Sequence, residues 1–311
     1  MRRLVIPLVS LALLTPATAG AQDEAEEEEA SEEEAEGGAS AEGSIEVGGA
    51  AEGGDAAAPA GGTVEEQQMV LPAGKLFIQA FAEINLSKDA AFEPFSIAPD
   101  IWYGVTEVLT VGLIHSGRAA TGFYGPVGNG LCLTGEEGGC AKFYNSVGLD
   151  ARYHFYRSGG ITLSAEGGLF ARSLDPFQMA IKIGAVGRWQ AGSLAVELAP
   201  SIFVGLTERE PEMGEDIVIA TNNKETLYLP ATLLYFLSPK LALAGQAGVV
   251  VPFDQAGDLW TLAVSLGAQY MATDKIMIDA AFSLPALVAG DAIAVDGADL
   301  RSLTLGVAYA F

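Results

Sequence analysis

The sequence predicts an all-β fold: an antiparallel up-and-down barrel of about twelve strands. Three observations predict it. Half of the residues are hydrophobic and the mean hydropathy is +0.31, yet nowhere do about 18 apolar residues follow one another, the length a spanning helix needs. The apolar residues instead occupy every second position of short segments, the period of a strand with one greasy face. The connections between those segments alternate, for the most part, between short turns and longer links.

Taken in order, the chain opens with Arg2 and Arg3, an apolar core from Leu4 to Leu14, and small residues at Ala17-Thr18-Ala19 and Ala19-Gly20-Ala21. This is the pattern of a cleavable signal peptide over residues 1–21. No Cys follows, so no lipid anchor is expected. Residues 22–66 hold 16 acidic residues and no Lys or Arg, with Ala, Gly and Ser between them. Such a segment repels itself, buries almost nothing, and is expected to be a disordered, solvated tether. The sharper alternative is an acidic arm that weakly binds divalent cations or a basic partner. Residues 67–311 carry 24 acidic against 14 basic residues, so most of the net charge of −24 belongs to the tether. This acidity argues against a nucleic-acid partner.

Twelve strands are read at Lys75–Leu86, Glu93–Gly104, Val108–Gly117, Tyr144–Tyr156, Ile161–Arg172, Gln178–Gln190, Leu194–Leu206, Thr226–Phe236, Leu241–Val251, Leu259–Met271, Ile276–Leu284 and Leu300–Phe311. In the fourth, Val147, Leu149, Ala151, Tyr153 and Phe155 oppose Ser146, Gly148, Asp150, Arg152, His154 and Tyr156. Short turns are expected at Val105-Thr106-Glu107, Ser158-Gly159-Gly160, Ala191-Gly192-Ser193, Ser238-Pro239-Lys240 and Ala272-Thr273-Asp274-Lys275. The longest links are Arg118–Phe143, Thr207–Glu225 and Pro285–Asp299.

The last strand reads LRSLTLGVAYAF. Leu303, Leu305, Val307, Tyr309 and Phe311 share one face, and Ser302, Thr304, Gly306, Ala308 and Ala310 share the other. This stretch resembles the terminal strand of bacterial outer-membrane β-barrel proteins, whose assembly signal alternates apolar residues and ends in Phe. The resemblance implies a transmembrane barrel in the outer membrane of a Gram-negative bacterium. Lipid would surround it, the barrel-assembly machinery would recognise its carboxy-terminal strand, and the tether would lie in the periplasm. Longer links would face outward from the cell, as in such barrels. Tyr103, Phe155, Trp189, Tyr235, Tyr270, Tyr309 and Phe311 end the strands that run toward the short turns. They are expected to form a periplasmic aromatic girdle, because these rings settle where an apolar body meets water.

With the apolar face toward lipid, Glu83, Asp100, Asp150, Arg152, His154, Glu166, Lys182, Arg188, Glu197 and Asp279 point inward, and Arg118 and Arg172 lie near the external rim. A three-residue turn at Ser158–Gly160 would set Arg152 opposite Glu166 and His154 opposite Ser164. Arg188 and Glu197 flank the next short turn at a similar distance. These charges read either as ion pairs filling the lumen or as a constriction that filters solutes. Inward Phe77, Phe81, Phe170, Phe203, Tyr228, Leu234 and Phe236 would plug part of it. Cys132 and Cys140 fall in the longest external loop, where an oxidising compartment favours a disulfide. Two thiols without a nearby His make no zinc set, and neither metal nor cofactor is expected. The expected function is a narrow channel for passive passage or transport of small solutes, with a non-conducting barrel working through its external loops as the alternative. Some outer-membrane barrels are acyl-hydrolases with His and Ser two positions apart on one strand. Here His115 and Ser116 are adjacent and would face opposite sides, so no catalytic residue is assigned. His115 is expected at the membrane interface.

Overall fold

A computed structural model of the chain describes residues 69–135, 140, 142–209, 223–291 and 297–311. The expected signal peptide over 1–21 and the acidic segment over 22–66 lie outside the described residues. The described strands are β1 (Leu76–Asn85), β2 (Phe95–Thr106), β3 (Leu109–Ile114), β4 (Leu131–Thr134), β5 (Val147–Ser158), β6 (Ile161–Leu174), β7 (Phe177–Ala191), β8 (Leu194–Leu198), β9 (Ser201–Gly205), β10 (Thr226–Ser238), β11 (Leu241–Pro252), β12 (Thr261–Met271), β13 (Ile276–Ala289) and β14 (Ser302–Ala310). A helix of one turn, α1 (Gly117–Thr121), follows β3.

All pairings among the described residues are antiparallel, and β1 bonds to both β14 and β2, so the sheet closes on itself. The wall has twelve places, because β3 with β4, and β8 with β9, each share one. The β8–β9 break lies at Ala199-Pro200, where proline has no N–H to give the ladder. Gly187 opposite Leu198 and Gly184 opposite Ser201 keep one register across the gap.

The period-two pattern sorts the faces. Along β14, Ser302, Thr304, Gly306, Ala308 and Ala310 are buried inside, while Leu305 and Val307 are 43% and 54% exposed on the outside. Leu149, Ile183 and Leu266 stand out from the wall in the same way. A continuous apolar belt of this kind is costly in water, at roughly 25 cal/mol per Å².

Three hairpins share a local device. The expected three-residue turns at β2–β3, β5–β6 and β10–β11 are two-residue turns, closed by Thr106 with Leu109, Ser158 with Ile161, and Ser238 with Leu241. Gly159 and Gly160, at φ +58° and +79°, meet the positive dihedrals of a tight primed turn. A register shift precedes each turn, between Gly104 and Thr106, His154 and Tyr156, and Phe236 and Ser238. Each bulge restores the register that a three-residue turn would have set.

Candidate functional site

The candidate site is the lumen, and its main feature was not legible as such. The link from Arg118 onward, expected to be external, turns inward. β3 ends at Ile114, residues 115–130 cross the interior, and the wall resumes as β4 beside β2, with Ile97 opposite Leu131 and Ser96 opposite Cys132. Backbone inside a barrel must find hydrogen-bond partners, and here the wall side chains provide them. Asp100 accepts from the backbone N–H of His115 at 2.7 Å and of Ser116 at 2.9 Å. Glu83 holds both ends of the insert, accepting from Gly117 N at 3.0 Å and from Asn129 N and Nδ2 at 3.0 Å each. Ser116 caps α1 through Ala119 N at 3.0 Å, and Gly122 closes it at φ +81°.

The far wall holds the tip. Gln246 accepts from Tyr124 N at 3.0 Å and donates to Gly122 O at 2.8 Å. Thr304 and Ser302 donate to Tyr124 O and Gly125 O at 2.6 and 2.9 Å. Arg118, expected at the rim, lies inside, 3.0 Å from Asp279 and stacked 4.2 Å over the Tyr124 ring. Burial pushes the Tyr124 hydroxyl above its ordinary value while Arg118 pulls it down, and at neutral pH the hydroxyl accepts from Arg118 Nη2 at 3.1 Å.

The other inward charges form a short network. Arg152 stands opposite Glu166 and bonds it through Nε at 2.7 Å. Lys182, 2% exposed, bridges Asp150 at 2.8 Å and Glu166 at 3.1 Å. Arg188 is buried and Glu197 half-buried, opposite one another on β7 and β8. His154 is half-buried opposite Ser164.

α1 and its flanks divide the lumen into two chambers. The short-turn chamber, about 240 Å³, is lined among others by Trp102, Arg118, Arg152, Lys182, Arg188 and Glu197. The long-loop chamber, about 180 Å³, is lined among others by His115, Phe170, Arg172, Phe203 and Tyr228. A strap enters the short-turn chamber just before β1. Val70 and Leu71 are buried there, Leu71 N donates to Thr110 Oγ1 at 2.7 Å, and Arg152 Nη1 donates to Met69 O at 3.1 Å.

Several expected positions need placing or correcting. His115 is not interfacial: it is buried where β3 leaves the wall, its Nδ1 against Pro99 O and its Nε2 2.7 Å from the Tyr144 hydroxyl. The Ser116 hydroxyl turns to Asp100 instead of to His115. Cys132 and Cys140 are joined in a disulfide, but Cys132 belongs to wall strand β4. Tyr103, Phe155, Trp189, Tyr235, Tyr270, Tyr309 and Phe311 are all exposed on the outside. The insert did leave a trace in the sequence: Phe123-Tyr124 and Leu131-Cys132-Leu133 are apolar runs in a supposed loop.

No family model matches the chain, and no curated protein matches it. Among solved structures, the NanC porin superposes with a TM-score of 0.52 at 10% identity, over 75% of this chain and 98% of that one. The KdgM porin gives 0.48 at 9% identity over 76% and 99%. The outer membrane protein Omp33 of Acinetobacter baumannii gives 0.39 at 10% identity over 76% and 98%. The likeness to the NanC porin is one of fold: the chain has the closed antiparallel barrel of bacterial outer-membrane proteins.

Proposed function

We propose that the protein is an outer-membrane channel for slow, passive passage of small solutes, its bore set by the insert 115–130. The observation that carries this reading is the divided lumen: two chambers of about 240 and 180 Å³ on either side of one backbone segment. The outward apolar wall and the fold shared with a porin support the membrane setting. In this reading lipid contacts Leu149, Ile183 and Leu266, and the assembly machinery engages β14. The long links face the exterior, and the acidic segment 22–66 is a periplasmic tether.

A second reading has an observation of its own. The insert and the strap both occupy the lumen, as a non-conducting barrel that works through its external links would require. Planar-bilayer recording of the full chain separates the two. Small, reproducible opening steps support the channel. Silence from the full chain and from a variant lacking both insert and strap would sink it.

A further inference from the structure

The long-loop chamber differs from the rest of the lumen in how its cation is satisfied. Elsewhere Arg118, Arg152 and Lys182 each meet a carboxylate. Arg172 donates instead to two neutral oxygens, Tyr228 OH at 2.9 Å and Asn223 Oδ1 at 3.4 Å. No Asp or Glu lines this chamber among the described residues. Its wall is aromatic. Phe203 packs edge-on against Phe170 at 5.2 Å and Tyr228 at 5.4 Å, and the Arg172 guanidinium sits 5.4 Å over the Phe203 ring. A guanidinium presents five donors and keeps its charge at any physiological pH. Here it stands at the edge of an apolar pocket with its charge unmatched by any described residue. The volume, about 180 Å³, compares with the roughly 150 Å³ cavity that accepts a benzene ring.

The geometry points to a binding site for a small organic anion with one planar apolar body, a monocyclic carboxylate, held between Phe170, Phe203 and Tyr228 with its carboxylate on Arg172. This deepens the channel reading by naming a solute class, and rests on it. The cation alone would attract any anion, and the aromatic wall alone any ring. Together they select the molecule that carries both. The insert closes the floor of the chamber through Gly117, Ala120 and Thr121, so a solute entering from the long-link end meets this site before α1.

The test is calorimetric titration of the full chain in detergent with sodium benzoate, sodium acetate and benzylammonium chloride. Benzoate should bind measurably tighter than acetate, and benzylammonium should not bind. Arg172→Gln should weaken benzoate roughly tenfold or more, the scale of a lost charge-assisted contact. Arg172→Lys, which keeps the charge and loses the fork, should fall between. Lys88→Gln, at an exposed ion pair with Asp299, should leave benzoate binding unchanged. Equal binding of benzoate and benzylammonium, or no effect of Arg172→Gln in a protein that still shows heat-modifiable gel mobility, overturns the site. The readout needs no conduction. Benzoate binding by a silent barrel would sink the channel and spare the site, and a conducting barrel that ignores benzoate would do the reverse.

Discussion

Lys182 is the residue on which the inner charge network turns. It is 2% exposed and satisfies two carboxylates, Asp150 and Glu166, whereas Arg152 meets one described carboxylate, Glu166, and is partly open to the short-turn chamber. Removing one partner of a buried pair leaves the other uncompensated, at about 3–5 kcal/mol. Lys182→Met should therefore destabilise the barrel by about that much, and Arg152→Met by clearly less, because Glu166 keeps Lys182. Urea unfolding of the two variants in detergent reads the order. Glu83 governs a different property. Glu83→Ala orphans donors at both ends of the insert, at about 1–3 kcal/mol for each buried group left unmet. The expected outcome is a lower unfolding midpoint together with larger or noisier single-channel steps. A change in stability with no change in conductance would show that the insert does not set the bore. The Arg152–Glu166 pair was legible in the sequence because it depends only on alternation and on one turn. The role of Glu83 was not, because its partners Gly117 and Asn129 lie 34 and 46 residues away and are mostly backbone N–H groups.

Among the elements, the wall was legible because every strand repeats the same two-residue rule. At β5–β6 and β10–β11 the turn was misread by one residue and a bulge absorbed the error, whereas the turn between β7 and β8, expected as Ala191-Gly192-Ser193, is the two residues Gly192-Ser193 with no register shift. In β5 the shift at Phe155 lets a two-residue turn and an otherwise regular strand bring Arg152 opposite Glu166. Deleting Phe155 should therefore yield a barrel that still folds. Deleting Ala151, four residues earlier, should not, because it turns one side of β5 inside out. Heat-modifiable migration on gels distinguishes the two outcomes. Three rings of the inner face share a further device: Trp102 lies opposite Gly112, Phe170 opposite Gly148, and Phe81 opposite Gly306. Each ring has a glycine as its cross-strand neighbour, an arrangement that lets large side chains fit a narrow bore. A Cβ on Gly148 would come within 2.2 Å of the Phe170 ring. Gly148→Ala should cost about 1–3 kcal/mol by overpacking and should alter the near-ultraviolet circular dichroism. The insert was missed at this scale. Its helix is a single turn of GRAAT with no apolar period, and the part of the wall it interrupts resumes as only four residues, LCLT.

For the molecule as a whole, closure of the sheet satisfies the backbone and leaves an apolar outer belt, so the interior carries nearly all of the polar chemistry. Among the described residues, two pieces of chain then occupy that interior from different directions: the insert from the wall and the strap from the segment before β1. The strap is hydrogen-bonded, among the described residues, through Leu71 N on Thr110 and Met69 O on Arg152, and Leu71 packs with Trp102 and Ile114. A chain that begins at Ala73 behind a substitute signal peptide should fold as the full chain does and conduct more in planar bilayers. Unchanged conductance would mean that the strap lies beside the path instead of across it.

Where the insert departs from the wall it also comes back. A Cβ placed on Gly130 would lie 3.1 Å from that of His115, so the two ends of the excursion meet at one doorway. The tube and its contents are thus separate modules of a single polypeptide. The width of the lumen could be changed by exchanging one cassette, with the staves around it left untouched.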